Sequence, residues 1–273
     1  LDVASRALFR RNGSPWCVAP RTENDPFCNA LPDFAARKWD TYPAEVKQDS
    51  ALCEALAKRP DGKELLAPFA VVRTQGDGFR AVPINEVYAT EMNEIAGELT
   101  AAATVLDGVA EEAAFRAYLL AAAKGFQTNS WEPADEAWAA MNANNSRWYL
   151  RIAPDEVYWD LCQEKAGFAT SFARIDRSSL EWQAKLAPLR DEMEGSLAEL
   201  IGPSYTARKV FFQMPDFIEI ILNAGDARSP LGATIGQSLP NWGKVAEEGR
   251  GRTVVMTNLY TDPDSKRISR EKA

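Results

Sequence analysis

The chain has 273 residues, of which 46% are hydrophobic and 26% are charged, so it is long enough to bury a sizeable core. Its net charge of −8 argues against a nucleic-acid backbone as partner, and no apolar run approaches the roughly 20 residues that span a bilayer. The sequence contains no histidine, which excludes the commonest general base, the commonest zinc ligand and every Ser–His or Cys–His nucleophile within this chain.

Residues 1–60 are predicted to form an extended N-terminal arm with one helix near Ala44 to Lys58. Cys17 and Cys28 flank a segment poor in secondary structure, where a disulfide would close a small loop. Four cysteines in a reducing cytoplasm are the alternative. The chain begins at Leu1 rather than Met, which suggests a removed leader or a trimmed chain. Because an exported protein suits a disulfide, we expect a periplasmic or secreted protein. A cytoplasmic protein is the alternative.

Residues 61–259 are predicted to form one lobe of helices and a small sheet. Two apolar runs between Leu66 and Val82 surround Gly76-Asp77-Gly78 and predict a β-hairpin. Apolar residues at helical spacing predict helices from Ile84 to about Ala102, and then over Val109–Lys124, Pro133–Met141 and Ser178–Leu200. Arg147–Ile152 alternates like a strand, whereas Pro154 and Asp155 suit a helix start and predict a helix over the residues that follow.

The stretch from Pro215 to Asn241 combines an apolar segment with Gly225, Gly232, Gly236 and three prolines. It predicts a buried element that leads into a bent backbone segment, whose exposed peptide groups could pair with an extended peptide beside Asn241. An ordinary core segment with a turn is the alternative.

Two further strands are predicted, over Ala207–Met214 and Arg252–Leu259. The second is too apolar to be a free tail, so we expect a large exposed apolar surface near Val254 and Met256, or a second chain that covers it. Residues 260–273 are predicted to be a connection without a closing element.

The acidic and aromatic run from Asp155 to Asp160 is the strongest local cluster of functional groups. At an irregular helix entry, Glu156 and Tyr158 could both face one cleft. The alternative is an acidic first turn that complements the helix dipole, with the aromatic side chains packed inward.

The sequence contains three blocks, which are APDEVYWDLCQEKAGFATSFARID, MPDFIEIILNAGDARSPLGATIGQSLPN and RTVVMTN. In their order and spacing these blocks resemble the dipeptidyl peptidase III family of zinc peptidases. The resemblance is greatest to its shorter bacterial branch and to a related plant Nudix-associated protein, and it covers about Leu66 to Leu259. It implies an α+β fold, predominantly helical with a small antiparallel sheet or barrel, that forms the substrate-binding lobe of a two-lobed peptidase.

The resemblance also implies roles for single residues. Glu156 and Asn241 fall on positions that hold a peptide's free amino terminus, Tyr158 falls on a catalytic residue that hydrogen-bonds the tetrahedral intermediate, and Gly236 falls in the strand that pairs with substrate. Ser238 replaces another substrate-binding Asn, which leaves the specificity for dipeptide length open.

Zinc is implied in the complete enzyme, bound by a His-Glu-x-x-x-His helix that this sequence does not contain. The resemblance therefore predicts a peptide-binding half, completed by a C-terminal catalytic half on a separate or cleaved chain. Alternatives are a non-catalytic peptide-binding or scaffold protein, or a hydrolase of the same fold that acts on a non-peptide amide or lactone.

Overall fold

The computed structural model describes residues 40–157, 160–209, 215–225, 236–257 and 263–272. The described part is α+β and predominantly helical, as expected, with a two-stranded antiparallel sheet and a five-stranded mixed sheet. No helix in these ranges is both long and apolar enough to cross a membrane. Cys17, Cys28 and Tyr158 lie outside the described residues, so the predictions that concern them remain predictions.

The N-terminal part of the described chain contains a short hairpin between helices. Its elements are α1 (Ser50–Ala57), α2 (Gly62–Leu65), β1 (Ala70–Gln75), β2 (Gly78–Pro83) and α3 (Ile84–Val87). The hairpin matches the prediction, and the Asp49 side chain caps α1 by accepting from two backbone N–H groups. A small core that includes Tyr42, Leu56 and Val72 packs the residues around α1 against the hairpin.

Three helices form the main helical layer: α4 (Ala89–Val105), α5 (Ala113–Thr128) and α6 (Glu132–Ala140). The buried residues of α4 are Met92, Ala96, Leu99 and Ala103, spaced three or four positions apart on one face. Because that face and its counterparts on α5 and α6 are apolar, the three helices share one core with the inner face of the five-stranded sheet.

The larger sheet has the strand order β3-β4-β5-β7-β6. Its strands are β3 (Trp148–Glu156), β4 (Gly167–Ile175), β5 (Asp216–Gly225), β6 (Gly236–Leu239) and β7 (Arg252–Met256). Neighbouring pairs are antiparallel except β5 and β7, which are parallel. The remaining helices are α7 (Ser179–Leu186), α8 (Arg190–Ile201), α9 (Gly243–Glu247) and α10 (Pro263–Lys272).

The predicted helix after Asp155 is wrong, because β3 continues to Glu156 and residues 167–175 form β4. Ala169, Ser171, Ala173 and Ile175 of β4 are buried and alternate with less buried neighbours, which is the two-residue period of a strand between β3 and β5. The proline and the acidic residues that favoured a helix start lie at the end of β3, an edge strand of the described sheet, and edge strands tolerate proline.

Two other predictions in the C-terminal half change. The helix over Ser178–Leu200 is divided into α7 and α8 by a 3₁₀ turn that contains Pro188. The predicted strand over Ala207–Met214 is not seen at residues 207–209, and its other residues lie outside the described ranges. Within the predicted connection, Pro263–Lys272 form α10.

The expected apolar surface around Val254 and Met256 is also wrong. Both side chains are buried, because β7 lies between β5 and β6 and points them into the common core. Large exposed apolar side chains occur on α7 and α8 instead, at Trp182, Met193 and Leu200.

Candidate functional site

The candidate site begins at a β-bulge near the end of β3. Pro154 pairs with Phe168 and Glu156 pairs with Gly167, so Asp155 is an extra residue without a partner on β4. A bulge of this kind interrupts the ladder and the alternation of side chains, and it changes the direction in which the following residue points. Here it buries the Asp155 side chain and leaves the Glu156 side chain partly exposed.

Asn241 approaches this bulge from β6, after the cis Leu239–Pro240 peptide bond. Its Nδ2 donates to the backbone oxygen of Asp155 at 2.8 Å and to Oε2 of Glu156 at 3.0 Å. An amide nitrogen carries two hydrogens, so these two bonds use both of them. The remaining polar atom of the side chain, Oδ1, is an acceptor. The structure thus brings Glu156 and Asn241 together as one polar cluster.

The curvature of the sheet is what makes this contact possible. In the described part of the sheet β3 and β6 are the two edge strands, with three strands between them. Four strand spacings would separate these edges by roughly 19 Å if the sheet were flat. Hydrogen bonds of 2.8 and 3.0 Å from Asn241 nevertheless join the two edges, so the sheet must curl towards itself at this end, although it does not close into a barrel within the described ranges.

A buried ion pair lies directly beneath the bulge. Nε of Arg151 donates to Oδ2 of Asp155 at 2.7 Å, and Nη2 contacts Oδ1 of the same carboxylate. Oδ1 of Asp135, on α6, lies 2.8 Å from Nη2 of Arg151 as an ion pair without good hydrogen-bond geometry. The guanidinium also stacks on Trp138, 4.7 Å from the ring centroid.

Electrostatics in this cluster follow from burial and proximity. Burial disfavours a charged guanidinium, but the nearby carboxylates, Asp155 first, outweigh it and hold the pKa of Arg151 well above its usual range. Burial raises the pKa of Asp135, and Arg151 opposes that effect only in part. The guanidinium of Arg151 is therefore the charged centre of the cluster.

The loop after the bulge is held by Asp160. Its Oδ2 accepts the backbone N–H groups of Cys162, Glu164 and Lys165 at 3.0–3.1 Å and the Tyr42 hydroxyl at 2.9 Å. Burial, with Asp160 beside it, raises the pKa of Tyr42. These bonds give the loop a fixed shape and join it to the segment before α1.

A disulfide and a buried lysine hold the same loop from the other side. Cys162 is bonded to Cys53 of α1, a pairing that the sequence did not suggest. The ammonium of Lys165 donates to the backbone oxygens of Leu65 and Ala67, and burial lowers the pKa of this lysine to about 8.

Gly236 and Ser238 lie on β6 rather than in the cluster itself. A Cβ at Gly236 would lie 2.4 Å from the backbone oxygen of Val254, so glycine is required there by the close approach of β7. The Ser238 hydroxyl lies 2.9 Å from that of Thr253 across the strand pair and is exposed. Within the described ranges β6 pairs only with β7.

The next question is whether the described residues could bind a metal ion. In the described ranges, no three His, Cys, Asp or Glu residues are arranged so that they could hold a metal ion, and the whole sequence has no histidine. The residues of this part of the chain therefore do not fit a catalytic zinc site.

Sequence reasoning missed Arg151, the loop-holding role of Asp160 and the Cys53–Cys162 pair. In the sequence, Arg151 lies on the same face of a predicted strand as apolar residues, and that face is predicted to be buried. Because an arginine is rarely buried without a partner, this pattern could have indicated a buried acidic partner. The spacing of Asp135, Trp138 and Asn142 predicts a packing stripe on one helix. The first two are buried, but Asn142 follows the end of α6 and is exposed.

Comparison with known proteins gives matches among solved structures. A DPP III from Caldithrix abyssi is 23% identical with a TM-score of 0.71, over 95% of this chain and 48% of that one. A dipeptidyl-peptidase III from Corallococcus sp. strain EGB is 25% identical with a TM-score of 0.67, over 93% of this chain and 46% of that one. No protein-family model and no curated protein matches. The chain has a DPP III-like fold and spans about half the length of these structures.

Proposed function

We propose that this chain binds the free amino terminus of a peptide and is the substrate-binding half of a peptidase that cleaves near that terminus. The observation that carries the proposal is the orientation of Asn241, whose two N–H groups bond to Glu156 and to the Asp155 carbonyl. With its hydrogens used in this way, Asn241 presents an acceptor beside a carboxylate.

An ammonium group is the ligand that suits two adjacent acceptors. It carries three N–H donors and a positive charge, and hydrogen bonds between an ion and a charged partner are roughly twice as strong as neutral ones. The partly exposed position of Glu156 and the exposed position of Asn241 leave the cluster accessible from solvent. Arg151 faces Asp155 from the buried side.

The rest of the peptide would lie along β6. An extended peptide pairs with a strand edge through its backbone, and the outer edge of β6 leads from Gly236 towards Asn241. Five positions separate these residues, which is roughly 16 Å of strand, enough for a peptide of a few residues. In this proposal Ser238 is a side-chain contact at the middle of the strand.

The full activity is a proposal that extends beyond this chain. Tyr158 would donate a hydrogen bond to the tetrahedral intermediate, in keeping with the resemblance. Zinc would be bound by a second, C-terminal half, because the residues of the described part do not form a ligand set. The residues of this chain would hold and orient the peptide, whereas the metal-dependent chemistry would belong to that second half. An oxidising, periplasmic or extracellular location is proposed on the strength of the Cys53–Cys162 disulfide.

The experiment that tests the binding role compares one peptide with a free and with an acetylated amino terminus, by calorimetric titration of the purified chain. We expect the free form to bind at least about tenfold more tightly, and Glu156→Gln to remove that preference. The Gln side chain retains an acceptor for Asn241, so the fold should persist. Equal affinities of the two peptides for the unchanged chain would rule the role out.

A further inference from the structure

Asp155 joins the buried core to the candidate site. Its carboxylate is 2% exposed and held by two contacts from Arg151, while its backbone oxygen accepts from Asn241. The residue is also the extra residue of the bulge, so no backbone partner on β4 fixes its position. The side chain and the carbonyl are therefore what hold this peptide unit in place.

A buried ion pair such as Arg151–Asp155 is unusual at a position where the only requirement is to fill space in the core. Removing two charges from water costs several kcal/mol each in general, and well-packed apolar residues often replace a buried ion pair without loss of stability. What a planar guanidinium adds is a fixed direction, because its two parallel N–H groups match a carboxylate in only a few orientations. Stacking on Trp138 and the ion pair with Asp135 hold the guanidinium plane itself.

We propose that Arg151 is a positioning residue for the amine-binding cluster. It holds the Asp155 carboxylate in the core, which turns the Asp155 carbonyl outward to Asn241 and places Glu156 where the same amide nitrogen reaches it. Arg151 touches no ligand. It acts through the bulge, and its role in ligand selection rests on the function proposed above.

A second buried arginine provides a matched control. Arg252, on β7, is 6% exposed, stacks on the same Trp138 at 5.0 Å and donates to Asp216 at 2.8 Å. Neither Arg252 nor Asp216 adjoins the bulge. Arg252 pairs through its backbone with Leu239, two positions before Asn241, and shares Trp138 with Arg151. Replacing this pair therefore removes a buried ion pair and a cation–π contact from the same core, while the Arg151–Asp155 contacts and the backbone pairing of β6 with β7 stay.

The test compares Arg151→Met/Asp155→Asn with Arg252→Met/Asp216→Asn. The readout is the pair of Asn241 side-chain amide resonances in a ¹H–¹⁵N spectrum, identified by their loss in Asn241→Ala. We expect the Arg151 double variant to move both resonances towards the positions of a solvent-exposed amide, and the Arg252 double variant to leave them in place. If the Arg151 double variant does not fold, Arg151→Lys takes its place, because it retains the charge balance. The same changes in the Asn241 resonances are then expected.

Two outcomes overturn the inference: unchanged Asn241 resonances in a folded Arg151 variant, or equal changes in both double variants, which would indicate a general loss of core packing. Peptide affinity is measured on the same proteins, and the Arg151 variant should lose at least about tenfold of the preference for a free amino terminus. If the unchanged chain shows no such preference, the proposed function fails, whereas the resonances still decide whether Arg151 positions Asn241.

Discussion

Asn241 and Glu156, which are 85 positions apart in the sequence, are joined by a hydrogen bond of 3.0 Å at the converging edges of a curled sheet. The same nitrogen bonds to the Asp155 carbonyl, so the loop after β6 is fixed to the end of β3. The contact does two things at once. It stabilises the curvature of the sheet and it orients the acceptor atoms of the candidate site.

Asn241→Asp should therefore destabilise the protein in a pH-dependent way. The substitution replaces two donated hydrogen bonds with a carboxylate that faces a carbonyl and the Glu156 carboxylate, which raises the pKa of the new group in the folded state. A raised carboxyl pKa means that the penalty is full near neutral pH and is relieved as the pH falls and the group takes up a proton. We expect a loss of about 1–3 kcal/mol in unfolding free energy at pH 7.

Urea unfolding at pH 7 and pH 4.5 measures this difference. Asn241→Ala is the control, since it removes the same donor without adding a charge and should show a loss that changes little with pH. A penalty for Asn241→Asp that is equal at both pH values would contradict the placement of Glu156 beside residue 241.

The second prediction concerns the Cys53–Cys162 disulfide, which joins two residues 109 positions apart. Closing so long a loop restricts the unfolded chain, so Cys53→Ser/Cys162→Ser should lower the unfolding free energy by about 2–4 kcal/mol. Chemical denaturation with and without a reductant measures it. Once the wild-type protein is reduced, its unfolding free energy should approach that of the variant. Any further effect of reductant on the variant itself would report a bond between Cys17 and Cys28.

How much of the fold could be predicted from the sequence depends on how far apart in the chain the residues that determine each element lie. The helices α4 to α6 and the β1–β2 hairpin follow from periodicity and turn residues within a few positions, and they were predicted. β4 was missed because Pro154 and the acidic residues after it resemble a helix start, and only pairing with β3 and β5 overrides that signal.

The site shows the same division. Glu156 and Asn241 were singled out through ordered blocks of sequence, yet the reason they meet is the curl of the sheet, which no local pattern encodes. The role of Arg151 depends on a bulge at Asp155, and a bulge is a property of two paired strands rather than of one sequence segment.

Lys165 gives the third prediction, on stability and pH. Burial lowers its pKa to about 8 in the folded protein, whereas an unfolded chain has a lysine pKa near 10.4. Between these values the unfolded state binds more protons, so stability should rise with pH relative to a protein that lacks the group. The unfolding free energy of wild type minus that of Lys165→Met should increase by up to about 2 kcal/mol from pH 8 to pH 9.5.

Denaturant titrations at half-unit pH intervals give this difference. Lys63→Met, which removes an exposed lysine, corrects for the general effect of losing a positive charge. A flat difference between wild type and Lys165→Met over this range would mean that the ammonium is solvated rather than buried against the Leu65 and Ala67 carbonyls.

The fourth prediction contrasts two glycines. Gly236→Ala should destabilise the protein by about 1–3 kcal/mol, because the new Cβ would lie 2.4 Å from the Val254 oxygen and force β6 away from β7. Gly97→Ala, in the exposed middle of α4 with nothing within 4 Å of the added atom, should stabilise it by about 0.5–1 kcal/mol. Thermal unfolding of both variants beside wild type tests the pair. A neutral Gly236→Ala would show that β6 and β7 are less closely paired than the structure indicates.

The last prediction is the pH profile of peptide binding. If Glu156 and Asn241 recognise an ammonium group, affinity must follow the protonation of the peptide rather than that of the protein. A peptide amino terminus has a pKa of about 7.7–8.0, so affinity should be nearly constant more than about one pH unit below this range and fall by about tenfold per pH unit above it. The acetylated peptide should show no such fall.

Lys165 loses its proton in the same pH range, and its loop adjoins the site, so wild type alone does not separate the two causes. The Lys165→Met variant does separate them, because it retains Glu156 and Asn241 but has no lysine to titrate at this position. Calorimetric titrations of this variant between pH 6.5 and pH 9.5 should reproduce the full fall in affinity for the free-amine peptide. If the fall disappears in the variant, the pH dependence belongs to the loop held by Lys165, and recognition of the peptide's charge by Glu156 is refuted.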